Sequence, residues 1–117
     1  MKILIVENDP NKSGQIELFL SEELGIPKEN IEVKKSYQSG LETILSNNYD
    51  LLILDMSLPT FDITKEDDGG ETLDRGGEVI LQEMEREGIK IKAVIVTQYE
   101  EFDDVSLEEI DNSLKNE

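Results

Sequence analysis

Two short runs of this chain, Ile3–Val6 and Leu51–Leu54, are apolar at every position, and each stops abruptly at polar residues. A run of strand length with no alternation suits a strand covered on both faces, as in parallel sheets sandwiched between helices. The segment from Ile91 to Val96, apolar but for Lys92, is a third strand, and Ile31–Lys35 a shorter, more polar fourth. Between them the apolar period changes. Ile16, Phe19, Leu20 and Leu24 recur at helical spacing after a start that Asp9 or Asn11 caps, and Gly25 and Pro27 stop the helix. Tyr37, Leu41, Ile44 and Leu45 mark a second helix over about 37–48, broken at Asn47-Asn48. Ile80, Leu81 and Met84 mark a third near 77–87, ended by Gly88, and Ser106-Leu-Glu-Glu109 opens a last short helix with a capping box. Strands alternating with helices through short connections predict an α/β protein: a three-layer, doubly wound parallel sheet of strand order 2-1-3-4.

One stretch breaks the rhythm. Residues 60–75 (TFDITKEDDGGETLDR) have no apolar period and are longer than a strand-to-helix connection needs. The plain reading is a tolerated, mobile surface loop, ordered poorly or mainly by contacts outside the chain. The functional reading is a lid or a loop that binds another protein. It is not a calcium loop: counted from Asp62, the sixth position is Asp67 rather than glycine and the twelfth is Leu73 rather than glutamate.

Length and composition narrow the chemistry. The 117 residues make one domain, 1–117, with the insertion 60–75 and an acidic C-terminal segment 98–117. No run of apolar residues is long enough to span a membrane, and a chain without cysteine suits the cytoplasm. The absence of histidine removes the commonest general base and any Ser-His-Asp arrangement. Eleven basic against 28 acidic residues leave a net charge of −17, which repels nucleic-acid phosphate, so this chain alone is no nucleic-acid binder. Most of that acid is a solvated surface.

The remaining chemistry gathers at strand ends. In open α/β sheets ligands bind in the crevice beyond the carboxyl ends of the strands. There the first strand offers Glu7-Asn8-Asp9, the third Asp55 and the fourth Thr97: three carboxylates, an amide and a hydroxyl.

These residues carry a resemblance. Ile3-Leu-Ile-Val-Glu-Asn-Asp-Pro10, Leu52-Ile-Leu-Asp-Met-Ser-Leu-Pro59 and Val94-Ile-Val-Thr97, in order and each at a strand end, resemble the receiver domain of two-component response regulators, a flavodoxin-like fold. The resemblance covers residues 1–99 apart from the insertion. It implies that Asp55 is a phosphoacceptor taking a phosphoryl group from a histidine kinase or phosphotransfer protein. It further implies a Mg²⁺ site formed by Glu7, Asn8, Asp55 and the backbone carbonyl of Ser57, and a phosphoryl-sensing hydroxyl at Thr97. The residue types suit that chemistry, because phosphoryl transfer needs an in-line nucleophile and a cation to neutralise oxygens, and Mg²⁺ accepts an incomplete protein shell.

Two departures qualify it. The second acid of the family's metal-binding pair is Asn8, which predicts weak Mg²⁺ binding unless Asp9 helps. The family's phosphate-pairing lysine, at the end of a fifth strand, has no counterpart: no such strand follows Thr97, and Lys115 lies within the last helical pattern. The alternative is therefore a pseudo-receiver, a phosphorylation-independent protein-interaction module. Two magnesium-dependent enzyme patterns on related sheets fail. Haloacid-dehalogenase phosphatases need Asp-x-Asp where this chain has Glu7-Asn8-Asp9, and Toprim nucleases need a second acid where it has Ser57. The expected role is a signalling module and not an enzyme.

Overall fold

The computed structural model describes residues 1–66 and 68–96. The first strand, β1 (Ile3–Val6), leads into helix α1 (Pro10–Leu18), whose last residues widen into a π-helical turn over Phe19–Glu23. A single 3₁₀ turn precedes β2 (Ile31–Lys34), which is followed by α2 (Tyr37–Ser46) and β3 (Leu51–Asp55). Then come two very short strands, β4 (Leu58–Pro59) and β5 (Thr72–Leu73), helix α3 (Gly76–Arg86) and β6 (Lys92–Val96). The main sheet has the order β2-β1-β3-β6, with every pairing parallel. This is the predicted topology, with element ends shifted by one or two residues.

The unbroken apolar runs explain the layering. Along β1, Ile3 and Ile5 face one side of the sheet while Leu4 and Val6 face the other, and along β3 Leu51 and Ile53 oppose Leu52 and Leu54. All eight are at most 1% exposed. The Ile3 side packs on Ile16 and Leu20 of α1 and its terminal turn, and the Leu4 side on Ile44 of α2 and Ile80 and Met84 of α3. Truncating any of these buried side chains to alanine costs about 2–5 kcal/mol.

Helix starts follow local chemistry. Asp9, not Asn11, caps α1: its carboxylate accepts the Asn11 N–H at 2.9 Å, and Pro10 takes the first helical position, where no N–H is needed. Ser36 caps α2 with a reciprocal Ser36–Ser39 pair. The close seating of α2 on the sheet depends on Gly40, where a Cβ would lie 2.8 Å from Val6 Cγ1.

The segment 60–75 departs from expectation. Its described residues are held within the chain, as a hairpin in which Leu58 opposes Leu73 and Pro59 opposes Thr72. The ladder continues outward: the Thr60 N–H donates to Glu71 O at 3.0 Å and the Phe61 N–H to Gly69 O at 2.9 Å. The hairpin also grips α2, since the Gln38 N–H donates to Thr60 O at 3.0 Å and Ser39 Oγ to Asp62 Oδ1 at 2.8 Å. The order comes from main-chain pairing, which an apolar pattern does not report. Thr97, Tyr99, Phe102, the acidic segment and the Ser106 helix lie outside the described residues.

Candidate functional site

Parallel pairing with matched register brings two acids to one edge. Ile5 lies beside Ile53 and Val6 beside Leu54, so Glu7 and Asp55 leave the sheet side by side at its carboxyl end. The ladder does not fray there: the Glu7 N–H donates to Lys34 O at 2.9 Å and the Met56 N–H to Val96 O at 2.9 Å. Both side chains turn inward, and each residue is only 2% exposed. Behind them α3 comes so near that a Cβ on Gly77 would lie 2.6 Å from the Asp55 carbonyl oxygen.

Their electrostatics are unusual for surface-rich acids. Glu7 Oε2 accepts the Asp9 N–H at 3.2 Å, but Glu7 Oε1 and Asp55 Oδ1 are buried without a hydrogen-bond donor. Burial, followed by the hydrogen bond and repulsion from Asp55, pushes Glu7 up to about 8. Burial also raises Asp55, against the hydrogen bond from Glu7, the positive charge of Lys12, and hydrogen bonds to the backbone at Met56 and Ser57. Burial thus holds both carboxyls above their ordinary range, and the pair resists carrying two negative charges.

Above the pair opens a cleft of about 150 Å³. Of the residues expected in the site, Glu7, Asn8, Asp55 and Ser57 all line it, as does Asp9. Asp9 spends one carboxylate oxygen on its cap, accepting the Asn11 N–H at 2.9 Å. Thr97 lies outside the described residues, so its position relative to the cleft is not part of this geometry. Among the described residues no three acids cluster as a metal cage, and the only carboxylates at the buried core of the cleft are Glu7 and Asp55. Asn8 and Ser57 line the same cleft, and two buried carboxylate oxygens without a donor have the chemistry of a hard divalent cation's ligands, which would supply the missing partner at both.

Sequence reasoning missed five of the lining residues. Lys12 brings a cation whose charge lowers both Glu7 and Asp55. Its signal was available: a lysine in the first turn of a helix opposes the helix dipole, and such a local violation marks a functional position. Pro59 and Thr72 come from the hairpin strands, Ile63 and Asp68 from the hairpin loop.

No family model matches the chain. An uncharacterized protein y4jR of Sinorhizobium fredii is 33% identical over 104 residues, which are 87% of this chain and 67% of that protein. The Detocs response regulatory protein DtcB of Enterobacter cloacae is 29% identical over 105 residues, 87% of this chain and 68% of DtcB. The response regulator ArlR of Staphylococcus haemolyticus is 42% identical over 57 residues, 49% of this chain and 24% of ArlR. The chain thus matches about two thirds of the first two proteins and a quarter of the third. Among solved structures, the MaeR response regulator bound to beryllium trifluoride superposes with a TM-score of 0.64 at 19% identity, over 98% of this chain and 95% of MaeR, a likeness of fold.

Proposed function

The chain belongs to the receiver domains of response regulators, and we propose that it is a signalling input module in which Asp55 accepts a phosphoryl group. One observation carries this reading: two buried carboxylates from adjacent strand ends, each with an oxygen lacking a donor, open into a small cleft at the functional edge of the sheet.

The donor is a phosphohistidine on a partner histidine kinase or phosphotransfer protein. An Asp55 carboxylate oxygen attacks phosphorus in line, the P–N bond breaks, and the imidazole leaves with the bonding pair. Asp55 is suited to the nucleophile's part because it ends β3 at the cleft with one carboxylate oxygen lacking a donor. Glu7, Asn8, Asp55 and the Ser57 carbonyl would hold Mg²⁺, which when bound supplies positive charge to the equatorial oxygens in transfer. Glu7, held above its ordinary range by burial, must give up its proton to ligate, so binding weakens as pH falls. Lys12 adds a positive charge at the same cleft, which suits the phosphoryl oxygens but, like the loss of a carboxylate at position 8, weakens the attraction for Mg²⁺. Thr97 is the hydroxyl assigned to sense the phosphoryl group, and the hairpin of residues 60–75 is a surface for a further protein partner.

Incubation with Mg²⁺ and acetyl phosphate, followed by intact mass, tests the reading. One added phosphoryl group is expected on the wild type and none on Asp55→Asn. A folded wild type that gains no mass would favour the second reading, a pseudo-receiver that binds partners without phosphorylation. Asn8 in the metal shell and the hairpin walling the cleft are the observations that support that alternative.

A further inference from the structure

We propose that the β4–β5 hairpin controls access to Asp55, with the Ile63 side chain as the barrier that water and small phosphoryl donors must pass. This inference rests on Asp55 being the phosphoacceptor. A strand-to-helix connection needs only a few residues, yet here Ile63, Asp68 and Thr72 of the insertion, with Pro59 just before it, line the cleft together with Glu7 and Asp55. Asp55 is 2% exposed although it ends a strand at the sheet's open edge.

The wall is anchored. On its α2 side the hairpin is tied by the Gln38–Thr60 and Ser39–Asp62 hydrogen bonds, at 3.0 and 2.8 Å. Internally it folds over Gly69, which is buried and adopts φ +92°, where a Cβ would lie 2.7 Å from Ile63 Cγ1, 3.1 Å from Phe61 O and 3.2 Å from Pro59 Cβ. Only glycine lets the chain close there, and the Ile63 side chain rests on the space that a Cβ would fill. Ile63 itself is 54% exposed, so it sits on the rim of the cleft, partly inside and partly in solvent, and contributes little to the core.

The chemical consequence follows from what an aspartyl phosphate needs in order to decay. Water attacks phosphorus, the acyl-oxygen–phosphorus bond breaks, orthophosphate leaves, and the Asp55 carboxylate is restored. An aliphatic side chain at the rim offers that water no hydrogen bond and occupies its path. The same obstruction slows a small donor approaching Asp55.

Ile63→Ser and Ile63→Trp, made in the full chain, open and close the rim at a position the fold does not depend on. The first readout needs no phosphorylation: a water-soluble carbodiimide activates Asp55, glycine ethyl ester displaces the urea to form an amide, and peptide mapping scores Asp55 against the exposed Glu42. Relative labelling of Asp55 is expected to rise about threefold or more in Ile63→Ser and to fall comparably in Ile63→Trp. The second readout is the lifetime of the phosphoryl group after acetyl phosphate is withdrawn, shorter with serine and longer with tryptophan. Equal carbodiimide labelling in all three proteins, or a change of the same sign in both variants, overturns the inference. A wild type that takes no phosphoryl group sinks the phosphoacceptor reading alone, because the carbodiimide series still decides whether Ile63 is the barrier.

Discussion

Replacing Glu7 with glutamine is expected to stabilise the metal-free protein, increasingly so as pH rises. Glu7 is 2% exposed, beside a second buried acid, and its pKa rises from the ordinary 4.5 to about 8 on folding. Between those values the unfolded chain has lost the Glu7 proton while the folded chain keeps it, so the folded state binds more protons and stability falls with increasing pH. The penalty is absent below pH 4.5 and complete above about 8. At about 1.4 kcal/mol per pH unit the shift sets an upper limit near 5 kcal/mol, and sharing of one proton with Asp55 brings the expected effect to about 2–4 kcal/mol. Glutamine does not titrate, and its amide can donate to the orphaned Asp55 Oδ1. Urea denaturation in the presence of a chelator should therefore show Glu7→Gln close to wild type at pH 5 and more stable by that amount at pH 8.5. In a domain of this size that corresponds to roughly 4–8 °C in Tm per kcal/mol. Mg²⁺ added at the higher pH should restore stability to the wild type and little to the variant, which has lost a ligand charge. A stability difference that stays constant from pH 5 to 8.5, or a less stable variant, would refute the reasoning.

Two further substitutions probe neighbouring parts of the site. Lys12→Ala should slow labelling of Asp55 by acetyl phosphate about ten- to a hundredfold, with Lys12→Arg retaining most of the rate, and equal rates in all three would count against a role for this cation. Gly77→Ala should cost about 1–3 kcal/mol in denaturation, because its Cβ would meet the Asp55 carbonyl oxygen at 2.6 Å and neither backbone can yield cheaply; a cost within a few tenths would mean that α3 shifts freely.

Much of the molecule was already legible in one dimension. Ile3–Val6 and Leu51–Leu54 admit no solvent-facing side, so they had to be central strands with helices on both faces, and the order β2-β1-β3-β6 places both in the middle of the sheet. Asp55 and Glu7 could be named because each is the first polar residue after such a run, and in a parallel sheet every strand of this kind ends at the same edge. What the pattern could not convey is how deep those acids lie, or that each keeps an oxygen without a donor; burial depends on α3 closing over Gly77 and on the hairpin across the cleft. The hairpin escaped because backbone hydrogen bonds hold it, and they leave no trace in the order of apolar residues. Lys12 and Ile63 reach Asp55 from segments that are distant from it or unpatterned, and their roles exist only once the sheet, α1 and the insertion have been folded onto the same edge.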